Sequence, residues 1–223
     1  MKFRHEYKHE ISYSDLLTIR ARLSAAAMPD PYAKDGKYEI RSLYFDNLYD
    51  KALLEKINGV NCREKFRIRL YNGDSSLIKL EKKSKINGLC SKESVTLTPE
   101  EAQAFADGDI DCFGNDSRPL VCELYSKMRS QGLMPRTVVD YTREPFIFPA
   151  GNVRVTIDYG LRTGLNVTEL LDPNMPTVPA PNAPIILEVK WDEFLPAVIR
   201  DIVQLNGTRS AAFSKYAACR MYG

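Results

Sequence analysis

The chain has 223 residues, of which 44% are hydrophobic and 27% are charged, a composition typical of a soluble globular protein. Its formal net charge is only +2, which argues against a general nucleic-acid coat and for a localised anion site. The five cysteines show neither a CxxC motif nor zinc-ligand spacing, and their odd number fits reduced thiols. No apolar signal region or membrane-length apolar run is present, which predicts a cytoplasmic protein without a transmembrane segment of its own.

Hydrophobic periodicity predicts a chain of alternating strands and helices. In order these are strand 3–11, helix 12–27, strand 38–45, helix 49–57, strands 63–71, 77–85 and 92–97, a helix starting at 98–101, helix 117–131, strands 136–148, 153–158 and 185–192, and helices 196–205 and 210–222. Residues 172–184 contain five prolines and are predicted to form an irregular loop. Because tight turns or short helices join most strands, the sheet should be largely antiparallel.

The strand at 63–71 is unusual because its polar face carries only cations. Side chains alternate along a strand, so one face holds Arg63, Lys65, Arg67 and Arg69. The opposite face is apolar and holds Phe66, Ile68 and Leu70. Like charges on one face repel, and arginine pairs bidentately with phosphate, so this pattern favours a bound polyanion. The alternative is a solvated face that happens to be basic.

The following strand extends this surface after a hairpin turn at 72–74. Its polar face carries Lys79, Glu81, Lys83 and Lys85. The hairpin therefore offers a joined basic surface with one carboxylate in it. That combination is typical of a phosphate site that also holds a divalent metal ion.

Several predicted strands bury one apolar face and keep a second face rich in Arg, Lys and Glu. A closed antiparallel β-barrel satisfies both faces if its interior is charged and helices cover its apolar exterior. We therefore expect an α+β fold built around such a tunnel. An open sheet with a solvated charged face is the alternative.

Four carboxylates lie on polar strand faces beside Arg or Lys: Glu6, Glu81, Asp158 and Glu188. Each one alone is equally well explained by an ion pair within the sheet. As a set, they could supply oxygen ligands to Mg²⁺ or Mn²⁺, with phosphates completing the shell.

Other chemistries find less support in the sequence. His5 and His9 are the only histidines, and no Ser or Cys lies in a nucleophile-elbow motif. Walker and GxGxxG motifs are absent. RNA-binding strands need stacking aromatics on the cationic face, whereas Phe66 faces away from Arg67, so no nucleic-acid partner is expected.

An ordered set of short motifs makes the chain similar to a known family. The motifs are RHEYK at 4–8, SLYFD at 42–46, REKFRIR at 63–69, EKK at 81–83, VRVTID at 153–158, LEVK at 187–190 and SKY at 214–216. The chain resembles the catalytic domain of the vacuolar transporter chaperone (VTC) polyphosphate polymerases, in its stand-alone bacterial form. That family belongs to the triphosphate tunnel metalloenzymes. The resemblance covers nearly the whole chain, and implies one domain over residues 1–223.

The resemblance implies a polymerase that transfers the terminal phosphate of ATP to polyphosphate, or pyrophosphate, with Mn²⁺ or Mg²⁺. Phosphates would be held by Lys8, Arg67, Arg69, Lys83, Lys92, Arg143, Arg154 and Lys190, and by Ser214 and Lys215 of the last helix. Arg41 and Lys65 are added on strand face alone. The catalytic subset would be Arg67, Arg69, Lys83 and Lys215. Glu188 would be the chief metal ligand, with Glu6 and Glu81 as further ligands.

The sequence also departs from its relatives. The hydrolytic branch of the superfamily carries an ExExK strand near its start, and Arg4 replaces the first Glu here. The SPX domain and membrane helices of the eukaryotic complex are missing, so regulation and export would come from other chains, including a membrane protein, or would not occur. A metal-dependent triphosphatase and a non-catalytic polyphosphate- or nucleotide-binding module are the alternatives.

Overall fold

A computed structural model describes residues 4–87, 89–205, 209–210 and 213–221. The strands are β1 (His5–Ile11), β2 (Met28–Pro29), β3 (Tyr38–Asp46), β4 (Cys62–Tyr71), β5 (Asp74–Ile86), β6 (Leu89–Leu97), β7 (Met134–Phe148), β8 (Val153–Thr163), β9 (Val178–Pro179), β10 (Ile185–Trp191) and β11 (Arg209–Ser210). The α-helices are α1 (Tyr13–Ala26), α2 (Lys51–Ile57), α3 (Pro99–Asp107), α4 (Pro119–Gln131), α5 (Ala197–Val203) and α6 (Lys215–Arg220).

The strands form one antiparallel sheet in the order β11-β1-β10-β8-β7-β3-β4-β5-β6, with β2 beside β7 and β9 beside β8. The sheet curls into a half-barrel, so that β1 faces β5 and β6 across a cavity. The predicted α+β fold, with a charged interior and flanking helices, is confirmed. Among the described residues no backbone pairing joins β6 to β1, so side chains and the segment before α6 complete that wall.

The wall strands separate apolar from charged side chains, as their alternation requires. On β4, Phe66 and Ile68 are buried on the convex face beneath α3 and α4, whereas Arg67 points to the concave side. On the other half of the sheet, α1 and α5 cover β8 and β10, with Leu16 and Ile199 fully buried between them. This burial of apolar area stabilises the curled sheet and leaves its concave face free for charged groups.

Helix boundaries follow the capping signals in the sequence. Ser12 and Thr98 each form a capping box, at the starts of α1 and α3. Gly132, in the left-handed conformation, ends α4. In the described segments, no helix combines the length and the hydrophobicity needed to cross a bilayer.

The helix predicted at 210–222 is wrong at its beginning. Ser210 lies in β11, which pairs with β1, and α6 begins only at Lys215 after Ser214 as N-cap. An edge strand that completes hydrogen bonds of β1 outweighs the local helical pattern, because those bonds are made only in the folded sheet. Residues 211, 212 and 222 of that prediction lie outside the described chain.

Helix α6 is held against the concave face by two contacts of Tyr216. Its ring stacks on Tyr44 with 5.1 Å between centroids, and its hydroxyl donates to the buried Asp46 at 2.8 Å. The same Asp46 accepts backbone N–H bonds at the start of α2, at 2.8 and 3.0 Å. These bonds fix α2 and α6 together, and so place Lys215 beside the charged interior.

Candidate functional site

The concave side of the sheet opens into a cavity of about 420 Å³. Strands β1, β4, β5 and β6, helix α2 and the segment before α6 form its walls. The cations that line it are Lys8, Lys56, Arg63, Lys65, Lys83 and Lys85. A cavity of this volume, lined by more cations than carboxylates, suits a ligand that carries several negative charges along its length.

Lys65 and Lys83 are direct neighbours on the β4–β5 pair. Neither forms an ion pair with a carboxylate of the described residues. Burial, together with the charges of Lys8 and Lys190, lowers the pKa of Lys83 to about 7. Burial also lowers the pKa of Lys65 to about 8. An incoming phosphate would supply the anion that both ammonium groups lack.

The next residue pair along β4 and β5 joins Arg67 to Glu81. Nε and Nη2 of Arg67 bind the same carboxylate oxygen at 2.7 and 2.6 Å, and Nη1 of Arg69 lies 3.9 Å from it. Lys92 of β6 binds the other oxygen. Burial would raise the pKa of Glu81, but these three cations hold it well below the usual range. The carboxylate therefore stays ionised.

Hydroxyl groups orient the two arginines. Arg67 donates to the Tyr44 hydroxyl at 2.9 Å, while Arg69 donates to Ser42 and Tyr141 at 3.0 Å each. Burial opposes ionisation of Tyr44, but Arg67 and its neighbours outweigh burial and lower the pKa to about 7. Sequence reasoning assigned no role to these three hydroxyl residues. The available signal was the alternation of Ser42 and Tyr44 on β3, which places them opposite the basic face of β4.

Glu188 lies on the opposite wall and is almost fully buried. Its carboxylate is 2.9 Å from Lys190, 3.4 Å from Lys8 and 3.5 Å from Arg143. Glu6 shares two of these partners, since it contacts Lys8 and lies 3.6 Å from Lys190. Burial would raise the pKa of Glu188, but Lys190, Lys8 and Arg143 hold it well below the usual range.

Arg143 connects this pair of glutamates to Asp158 and α6. Its Nε and Nη2 bind the two oxygens of Asp158 at 2.7 Å each, and Lys215 binds Asp158 at 2.6 Å. Burial opposes ionisation of Asp158, but Arg143 and Lys215 lower the pKa to about 2. Alternation along β8 places Asp158 on the polar face but does not show that it bridges two predicted phosphate ligands. Asp158 therefore orients these cations.

A profile of the VTC domain family matches residues 3–222, nearly the whole chain. The chain belongs to the VTC domain family. The predicted resemblance is thereby confirmed at the level of the family, and the basic cavity accords with a role in triphosphate or polyphosphate chemistry.

Two solved structures are similar to this chain at low sequence identity. The bh2851 protein of Bacillus halodurans, provisionally named an adenylate cyclase, is 12% identical with a TM-score of 0.50, over 85% of this chain and 80% of that one. The PH1819 protein of Pyrococcus horikoshii OT3 is 13% identical with a TM-score of 0.45, over 90% of this chain and 84% of that one. The comparison with curated proteins finds no match.

Most of the predicted site residues meet on the concave side of the VTC domain. They are Glu6, Lys8, Lys65, Arg67, Arg69, Glu81, Lys83, Lys92, Arg143, Glu188, Lys190, Ser214 and Lys215. Ser214 is buried beside the cavity, where its hydroxyl accepts the N-cap hydrogen bond of α6. Arg154 shares the sheet face of Lys190, but its side chain is 41% exposed and binds Asp30 at 2.8 Å, so it lies at the margin.

Arg41 lies on the wrong face for the site, and its prediction is corrected. Its guanidinium binds Asp140 at 3.0 and 2.9 Å, and donates to the Asp172 carbonyl at 2.5 Å, on the convex side. Because Ser42 and Tyr44 point to the concave side, alternation along β3 directs Arg41 away from it.

The predicted metal ligands of the VTC domain fall into two groups. Glu6 and Glu188 share Lys8 and Lys190, whereas Glu81 lies on the other wall with both oxygens bound to cations. The described residues contain no cluster of three His, Cys, Asp or Glu side chains arranged to hold a metal. The three-carboxylate set is therefore not formed. A pair of carboxylates still fits Mg²⁺ or Mn²⁺, because these ions take their remaining oxygen ligands from phosphate and water.

Proposed function

We propose that this VTC domain is a polyphosphate polymerase, which transfers the terminal phosphate of ATP to a growing polyphosphate chain. The observation that carries the proposal is the convergence of six cations, from β1, β4, β5 and α2, on one cavity. A single phosphate would need only a few of them. A chain of phosphates would use them in succession, because each phosphate carries its own charge.

The proposed chemistry needs alignment and charge stabilisation rather than a covalent intermediate. The end of a polyphosphate chain is already a nucleophile, so the small number of histidines is no obstacle. The main barrier is repulsion between two polyanions, which buried cations offset more strongly than solvated ones. We assign this role to Arg67, Arg69, Lys83 and Lys215, with the other concave cations binding the chain.

A divalent cation would be held by Glu188 and Glu6, and we propose Mn²⁺ or Mg²⁺. When bound, it would polarise phosphate oxygens as a Lewis acid. Without it, Lys8 and Lys190 pair with the two carboxylates, so neither ammonium group is fully available to an incoming polyanion. The pairing of two glutamates with two lysines therefore suits a site that accepts metal and phosphate together.

The triphosphatase alternative is weakened at Arg4. Where the hydrolytic relatives carry their first glutamate, Arg4 forms an ion pair with Asp192 at 2.7 Å. One acidic group of the expected metal site is therefore replaced by a cation. The proposed partners are ATP and polyphosphate or pyrophosphate, with no nucleic acid. We also propose a cytoplasmic location and a membrane protein that acts in trans for export.

The products formed from ATP test the function. Purified protein is incubated with ATP and Mn²⁺, and the products are separated by gel electrophoresis. Long phosphate chains support the polymerase. Orthophosphate alone would indicate a triphosphatase, and unchanged ATP with measurable binding would indicate a binding module. Either of these outcomes would overturn the proposal.

A further inference from the structure

Glu81 occupies the middle of a cationic wall and uses both of its oxygens there. One oxygen receives the Nε and Nη2 groups of Arg67 at 2.7 and 2.6 Å, and the other receives Lys92. Arg69 approaches the first oxygen to 3.9 Å. The side chain is only 2% exposed, and the register of β4 and β5 sets it directly opposite Arg67.

The groups that hold Glu81 are the groups that a phosphate would need. A guanidinium presents the same planar fork to a carboxylate and to a phosphate. Arg67 and Lys92 cannot give their full set of donors to both anions at once. Glu81 is also ionised at every ordinary working pH, since Arg67, Arg69 and Lys92 overcome burial and hold its pKa well below the usual range. Its competition with an incoming phosphate is therefore permanent.

The surroundings of Glu81 do not resemble those of a metal ligand. Glu188 and Glu6 form a carboxylate pair because they share Lys8 and Lys190. The three cations that bind Glu81 form no ion pair with a second carboxylate among the described residues. The described residues hold no three-ligand cluster that includes Glu81. A metal ion at this point would have a single carboxylate to balance it while it faced Arg67, Arg69 and Lys92 at close range.

We propose that Glu81 is a built-in competitor of phosphate, which binds Arg67, Arg69 and Lys92 in the free protein and yields them in part to the substrate. This inference rests on the proposed function, because it assigns those cations to a polyphosphate chain. Glu81 then limits how tightly the chain is held. A growing polymer must move past each site after every transfer. Because Glu81 can bind the cations again, it favours release of the polymer from them.

The test is metal-free binding of tripolyphosphate, measured by isothermal titration calorimetry. Glu81→Gln keeps the size of the side chain and removes its charge. Loss of a competing charged hydrogen bond should tighten binding by about tenfold or more. Glu123→Gln is the matched control, because it removes the same charge from a glutamate that binds Lys82 at 2.5 Å on the convex side. The control should bind tripolyphosphate like the wild type.

A second variant distinguishes the effect of the charge from the effect of misfolding. Glu81→Asp keeps the charge but withdraws it from Arg67 by one methylene, so its affinity should fall between the wild type and Glu81→Gln. If Glu81 only held Arg67 in place, both variants would bind more weakly than the wild type. That sign would overturn the inference, as would an affinity equal to that of the wild type.

Metal dependence separates this role from metal ligation. In Glu81→Gln the concentration of Mn²⁺ that gives half-maximal turnover of ATP should match that of the wild type. A large increase would show that Glu81 binds the metal and would overturn the inference. If the wild type binds no tripolyphosphate, the proposed function and the inference fail together. If the wild type binds it and Glu81→Gln binds no more tightly, the inference alone fails.

Discussion

Lys83 should make phosphate binding depend on pH, and the substitution Lys83→Arg should remove its contribution to that dependence. Lys83 is buried beside Lys8 and Lys190, and its pKa in the free protein is lowered to about 7. A bound phosphate stabilises the ammonium form and therefore raises that pKa. Binding then requires protonation of Lys83 whenever the pH exceeds about 7.

The size of the effect follows from that pKa. Affinity is highest below about pH 7 and falls by up to about tenfold for each further pH unit, until the pKa of the complex is reached. Lys83 alone can therefore weaken tripolyphosphate binding by up to about a hundredfold between about pH 6 and about pH 9. Lys65 and Tyr44, whose pKa values are about 8 and about 7, add to the fall, since Lys65 loses its charge and Tyr44 gains a negative one.

Lys83→Arg isolates the contribution of this residue. Arginine keeps its charge over the whole range, so the affinity of the variant for tripolyphosphate should fall less steeply with pH. Above about pH 7 the difference should be about tenfold for each pH unit. Titration of the ligand itself affects both proteins equally and cancels in the ratio of their affinities. Lys51→Arg, on the outside of α2 where Lys51 pairs with Glu55 at 2.7 Å, is the control and should keep the wild-type slope.

Calorimetry in two buffers with different ionisation enthalpies provides the direct assay. At about pH 8 the wild type should take up protons on binding, and Lys83→Arg should take up about one fewer. Equal proton uptake and parallel pH profiles for the two proteins would show that Lys83 does not set the pH dependence. So would a wild-type affinity that increases with pH relative to the affinity of Lys83→Arg.

Three further predictions follow from the same structure. Arg67→Ala and Arg69→Ala should each weaken tripolyphosphate binding by about 1.5–3 kcal/mol and make it less dependent on salt concentration. Unchanged affinity in a folded double variant would show that neither arginine binds the phosphate chain. Glu188→Gln should abolish turnover of ATP while metal-free phosphate binding stays equal or tightens, and normal turnover would contradict metal ligation. Tyr216→Phe should lower the free energy of unfolding by about 1–3 kcal/mol in urea titrations, because it deprives buried Asp46 of a donor; an unchanged value would show that this bond does not hold α6.

Strand alternation predicted the two-faced wall because one periodicity governs it. On β4, the same rule sends Phe66 into the convex core and Arg67 to the concave side. For Arg41, the alternation has to be counted from its neighbours on β3 as well. Arg41 is predicted as a phosphate ligand on strand face alone, although Ser42 and Tyr44 occupy the concave positions of β3.

The role of Glu81 depends on register, which the sequence does not reveal. Alternation places a carboxylate on the basic face but leaves an ion pair and a metal ligand equally plausible. Only the pairing of β4 with β5, and of β5 with β6, brings Arg67 and Lys92 onto its two oxygens. The bridge between Arg143 and Lys215 through Asp158 is likewise invisible in sequence, because β7, β8 and α6 meet only in the folded chain.

The proposed function is that the basic cavity builds phosphate chains from ATP. The most direct measurement is ³¹P NMR of purified protein incubated with ATP and Mg²⁺ over time. The resonance of internal chain phosphates should grow as the terminal phosphate of ATP disappears, while orthophosphate stays low. Orthophosphate as the sole product, or an unchanged ATP spectrum, would contradict the claim.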